Sequence, residues 1–229
     1  MPTVDYRAHL RELPPAHWPG YLSENSGLPG PRGNLSLLDA VGDVADASTL
    51  DALIATDDEY LVACGVAGLG ALTRADDPVA LDRLRGFASD ARWRVREAVA
   101  MALQRLGDAD LSGLASVALE WSVDPSPLVR RAAVAGICEP RLLADPGMAA
   151  TAIRACGIAT GALVADGDDV DRESRRVLRQ ALGYCWSVAV AADPEPGLPA
   201  FDALRASSNP DVQWIVRENL RKKRLALLL

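Results

Sequence analysis

Few side chains in this sequence are of the types that do chemistry at neutral pH. The two histidines, His9 and His17, both fall in the proline-rich first 33 residues, without a His-Glu or HExxH pairing. Hydrolytic zinc and di-iron chemistry therefore lack their ligands. The four cysteines, Cys64, Cys138, Cys156 and Cys185, form no CxxC pair. Each sits in an Ala- and Val-rich stretch where a free cysteine acts as a small buried hydrophobe, so reduced core thiols are expected rather than zinc or a disulfide frame. No metal and no cofactor is expected. Gly65, Gly68 and Gly70 lack the following Lys-Ser/Thr of a phosphate loop and read as close approaches between helices. The acidic run Asp166–Asp171 has glycine at its second position, not at the sixth that an EF-hand demands, and reads as a solvated loop.

What remains is binding chemistry. Trp93 and Trp214 each stand two residues before a Val-Arg pair. Aromatics beside arginine compose interface hot spots; the competing reading has them cover a seam between structural repeats. Arg175, Arg176 and Arg179 offer one basic cluster, and Arg217, Arg221 and Arg224 another. The latter three fall at i, i+4 and i+7 in a helix expected to run unbroken from Val212 to Leu225, aligned on one face. That face reads either as a polar cap or as an anionic docking site. The formal net charge is −7, with residues 1–89 at −7, residues 90–229 balanced, and residues 205–229 at +4. An acidic front with a basic end excludes general coating of nucleic acid and leaves a local basic site.

The elements that position these groups follow from composition. With 229 residues, 49% hydrophobic and 5% aromatic, the chain buries a core but lacks the β-branched and aromatic content of an all-β fold. No apolar run reaches the roughly 18 to 20 residues of a membrane span, and the N-terminus lacks the apolar stretch of a signal peptide. A cytoplasmic protein with no membrane contact is expected.

The chain also repeats itself. An Asp followed by Val-Arg five and six residues later occurs at Asp90 with Val95-Arg96, at Asp124 with Val129-Arg130, and at Asp211 with Val216-Arg217. Weaker copies place Val62 after Asp57 and Leu178-Arg179 after Glu173, so the anchors lie 33, 34, 49 and 38 residues apart. Each anchor opens a helical pattern; Val95, Val99, Ala102, Leu103 and Leu106 share one helix face, and Gly107 is expected to end it. The aspartates read as N-caps, with Pro125 and Pro210 in first turns. Shorter amphipathic runs at 48–55, 78–88, 110–122, 147–165 and 197–207 fall between the anchored helices. The unit is helix, turn, helix, and stacking such pairs makes the core.

The Asp/Val-Arg signature at this period resembles HEAT repeats over about residues 34–228. The resemblance implies an all-α, right-handed α-solenoid of about five helix pairs (residues 34–229). Residues 1–33 do not repeat; their prolines forbid long helices, and Tyr6, Trp18 and Tyr21 among them suggest a proline-rich N-terminal cap packed across the first repeat, with a partner-binding arm as the alternative. The resemblance also implies a structural ladder of Asp90, Arg96, Asp124, Arg130, Asp211 and Arg217 between adjacent repeats. The function it implies is a non-catalytic scaffold or adaptor that binds a protein partner along its concave face. A second segment, Arg175 to Trp186, resembles the DNA alkylation-repeat family, with Tyr184 where that family has tryptophan. Asp124, three residues after Trp121, stands near the family's catalytic aspartate. This likeness implies the alternative of a DNA-binding base-excision glycosylase, with nucleic acid held at the basic C-terminal helix.

Overall fold

The computed structural model describes residues 4–30, 32–167 and 169–229; Pro2, Pro31 and Asp168 of the segments above lie outside them. Among the described residues the chain is all-α, with fourteen helices and no strand. It divides into two compact units, Met1–Leu106 and Gly107–Leu229.

The first unit holds α1 (Tyr6–Glu12), α2 (Trp18–Glu24), α3 (Leu35–Val44), α4 (Ala47–Ile54), α5 (Glu59–Leu69) and α6 (Pro78–Phe87). Next comes α7 (Trp93–Ala109), whose last residues belong to the second unit. The second unit continues with α8 (Leu111–Trp121), α9 (Pro127–Ile137), α10 (Pro146–Ala165), α11 (Arg172–Ala192), α12 (Pro194–Arg205), α13 (Pro210–Leu220) and α14 (Lys223–Ala226). The amphipathic runs and the anchored helices thus alternate as five pairs, from α4–α5 to α12–α13.

Aspartate explains much of this regularity. Asp5, Asp46, Asp58, Asp77, Asp110, Asp145 and Asp171 each cap a helix, their side chains accepting from backbone N–H groups of the first turn. Donation from the Thr49 N–H holds the Asp46 carboxyl below the usual carboxylate range, and the Ser174 N–H does the same for Asp171. A carboxylate also suits the positive end of the helix dipole. Part of the acidic balance is therefore capping chemistry.

In the second unit the helices lie in two layers. The first helices of the pairs stack together, α10 against α8 and α12, and so do the second helices, α11 against α9 and α13. Each pair buries its apolar face on the next. In the first unit α5 is central, contacted by α2, α3, α4 and α6. The described part of the proline-rich lead packs on the first unit, α1 against α3 and α2 against α5. Leu10, Trp18 and Leu22 are buried, and the Trp18 indole N–H donates to the Leu13 carbonyl at 3.0 Å. Gly27 takes φ +75°, a left-handed turn that returns the chain so that the Asn34 N–H bonds the Ser26 carbonyl at 2.7 Å.

Several expectations need correction. Gly107 does not end α7; it lies inside it, where a Cβ would stand 2.5 Å from Leu114 Cδ2. The N-caps of α5, α11 and α13 are Asp58, Asp171 and Asn209, one to two residues away from the motif positions. Pro127 rather than Pro125 opens α9. The segment α10 is long and apolar enough to cross a membrane by length and composition, because its one charge, Arg154, interrupts the run without breaking the helix. Half of its most apolar window is buried in the fold. Finally, the basic C-terminal helix is broken. Helix α13 stops at Leu220, Lys222 is extended, and α14 restarts the chain with Leu225 fully buried against the unit.

Candidate functional site

Two exposed apolar side chains of the first unit, Leu35 (63% exposed) and Trp93 (49%), face the same groove. The groove has a volume of about 660 Å³ and runs between the start of α3, one side of α5 and one side of α7. Trp93, Glu97, Met101 and Gln104 line it from α7 at helical spacing, while Leu38 and Tyr60 sit deeper and are buried. That volume falls in the range of ligand-sized clefts.

The walls are held. The Tyr60 hydroxyl donates to the Asn34 carbonyl at 2.7 Å, and the Asn34 amide donates to the Tyr6 hydroxyl at 2.9 Å. Burial pushes the Tyr60 phenol well up, so it stays a neutral donor. The Arg94 guanidinium lies 4.5 Å from the Trp93 ring centroid and pairs with Glu59 at 2.9 Å. Trp93 is thus fixed by stacking while its outer face stays open to solvent. Trp93 was legible as a candidate from its place in the repeat. Leu35 and Tyr60 were not, because neither lies in the motif.

A ladder of ion pairs at the repeat period runs through the described residues. Arg83–Asp51, Arg94–Glu59, Arg141–Asp108, Arg130–Asp166 and Arg179–Asp211 join residues 32, 35, 33, 36 and 32 positions apart, the period of the repeat. Of the expected members, Arg130 and Asp211 stand in it. Arg130 is 1% exposed and donates through one nitrogen to both oxygens of Asp166. Asp166 therefore departs from the solvated-loop reading: its side chain is only 10% exposed. Asp90 instead pairs with Arg92 at 2.8 Å, and that guanidinium holds its carboxyl below the usual range. Arg96 donates to the Asp90 and Ala91 carbonyls, and Asp124 accepts from the Ser126 N–H. Arg96 thus reaches back to the loop that starts its own helix, whereas Arg130, at the same place in its copy of the motif, reaches one repeat onward.

The arginines proposed for anion binding divide in two. Arg175 and Arg179 both reach Asp211, at 3.5 and 2.7 Å, and Arg176 pairs with Glu173 one turn away. Their charges serve the protein itself. Trp214 is half-buried, stacked by Arg179 at 4.8 Å and set against Gly183 of α11, so it covers the seam between repeats. Arg221 pairs with Glu218, whereas Arg217 is exposed. The helix break takes Arg224 off the face shared by Arg217 and Arg221 and lays it on Tyr184.

All four cysteines are free and buried, with Cys138 and Cys156 sulfurs 3.7 Å apart. Among the described residues no three His, Cys, Asp or Glu side chains are grouped to hold a metal ion.

No protein-family model matches the chain, and no curated protein matches it. Among solved structures, a designed armadillo repeat protein aligns at 19% identity and TM-score 0.35, over 90% of this chain and 98% of that one. An engineered protein aligns at 16% and 0.40, over 95% and 98%. A designed armadillo repeat protein in complex with the peptide (KR)4 aligns at 17% and 0.37, over 96% and 98%. The fold rests on the helix pairs described above: the chain is an all-α repeat protein.

Proposed function

We propose that this protein is a non-catalytic, cytoplasmic scaffold of the HEAT type, and that it holds a segment of a protein partner in the groove of its first unit. The observation that carries the reading is the pair Leu35 and Trp93, two large apolar side chains left in solvent on facing walls of one groove. A monomer rarely leaves two such side chains together on one groove without a use. The groove suits one or two apolar side chains of an extended segment, with Arg32 and Glu97 lining it as polar contacts. Four buried free thiols support the reducing compartment. Asp124, the carboxylate a glycosylase would need, is half-buried and engaged by the Ser126 N–H, which favours the non-catalytic reading.

The test selects binders from a displayed library of random peptides against the full chain and measures them by fluorescence anisotropy. Selected peptides are expected to be anchored by an aromatic or branched apolar residue. Trp93→Ala should weaken them at least tenfold, about 1.4 kcal/mol, within the range of an interface hot spot. Arg176→Ala should leave binding unchanged. Peptides that bind equally well to the Trp93→Ala and Leu35→Ala variants would remove the groove as the site.

A further inference from the structure

The second unit carries a surface that the groove does not explain. Tyr184 lies within α11 and is 45% exposed. Arg224 sits with its guanidinium carbon 4.8 Å from the ring centroid and donates to the phenol oxygen at 2.9 Å. Lys222 places its ammonium 5.8 Å from the same centroid. The break after α13 makes this arrangement: Lys222 turns extended, Leu225 buries itself, and the two cations fold back over α11. Asn219 fixes the point of turning. It is fully buried, donates to the Leu182 and Ile215 carbonyls and accepts from the Ser187 N–H.

The charge count around Tyr184 does not close. Asp211 is taken by Arg179 and Arg175, and Glu218 by Arg221. Arg217, Lys222, Lys223 and Arg224 have no carboxylate partner among the described residues. Lys222, Lys223 and Arg224 are consecutive cations that repel one another, and an anion relieves that repulsion. We propose that this surface is a docking site for a short acidic segment of a protein partner, its carboxylates on Lys222, Lys223 and Arg224 and an apolar side chain against Tyr184. A protein segment fits better than a nucleic acid for two reasons. Residues 205–229 carry +4 and the rest of the chain −11, so a long polyanion meets a repulsive field outside a small attractive patch. The patch also centres on a single aromatic ring over which Arg224 and Lys222 already lie, rather than on a row of open rings for successive bases to stack on.

The experiment uses the full chain and three fluorescein-labelled probes: a glutamate-rich peptide of about eight residues with a central leucine, its glutamine counterpart, and single-stranded DNA of equal charge. The glutamate peptide is expected to bind, the glutamine peptide not, and the affinity to fall at least tenfold as salt rises through the physiological range. Arg224→Glu should cost at least tenfold. Lys223→Glu, at an exposed position with no tertiary partner, should weaken binding severalfold and leave the melting temperature unchanged. Trp93→Ala should have no effect, which separates this surface from the groove. Tighter binding of the DNA would overturn the proposal in favour of a phosphate ligand. Absence of binding by the glutamate peptide, or binding untouched by both charge reversals, would overturn it outright.

Discussion

Replacing Arg130 by alanine is expected to destabilise the second unit by about 3–5 kcal/mol, the range for breaking a buried ion pair from one side. For a chain of this length that corresponds to a fall in melting temperature of roughly 6–20 °C. The reason is what the substitution leaves behind. The Asp166 carboxyl would stay in a site that is 10% exposed, with both oxygens deprived of the Arg130 nitrogen that now serves them. Calorimetry of two further variants tests this cause. Arg130→Met with Asp166→Leu removes both charges and should recover most of the loss, because the pair itself is close to neutral against an apolar replacement. The recovery is helped because Arg130 Nε is buried without a partner, a cost that disappears with the guanidinium. Arg176→Ala breaks an exposed pair one helical turn long and should leave the melting temperature essentially unchanged. If Arg130→Ala melted within 2 °C of the parent, the buried pair would not be what joins these repeats.

The helix pairs were legible because each carries its own amphipathic period, which depends on neighbours only along the chain. The runs at 78–88, 110–122 and 147–165 fall within a residue or so of α6, α8 and α10. The ladder was legible as a kind of contact and not as a set of partners. The motif offered a neighbouring repeat's motif aspartate, whereas Arg130 takes Asp166, a residue of a loop that interrupts the motif yet lies one repeat period away. Spacing alone points to Asp166 once the loop is treated as part of the repeat. The groove was hidden for a different reason. Leu35 and Tyr60 are brought to Trp93 by packing of α3 and α5, and nothing in their local sequence announces it. The C-terminal break was hidden too, since apolar residues continue at helical spacing through Leu225. The break is set by Asn219, whose buried amide satisfies carbonyls of two helices, and by the burial of Leu225. Tyr184 entered the sequence reading only as a departure from a family pattern, although its exposure is what gives it a use.

The glycines of α5 lead to the second large effect. Gly70→Ala is expected to destabilise the first unit by about 3 kcal/mol, the upper part of the range for overpacking. Its backbone has φ −58°, ordinary for any residue, so the cost is steric rather than conformational. A Cβ there would stand 2.1 Å from the Ala102 carbonyl oxygen and 2.5 Å from the Ala102 Cα. Those atoms are backbone of α7, and a helix cannot move one residue aside; the end of α5 and α7 would have to separate along their contact. Gly65 meets both kinds of obstacle, Ile54 Cγ1 at 2.6 Å and the Leu50 carbonyl at 2.9 Å, so Gly65→Ala should cost less than Gly70→Ala as the isoleucine turns away. Gly86 supplies the opposite sign. It lies within α6 with nothing near its missing Cβ, and Gly86→Ala should stabilise by about 0.5–1 kcal/mol through helix propensity and a less flexible unfolded chain. Denaturant unfolding of the three variants against the parent gives the order. If Gly70→Ala and Gly86→Ala shifted the midpoint in the same direction, close approach of α5 to α7 would not be what glycine is selected for at position 70, and the packing of the first unit around α5 would need to be redrawn.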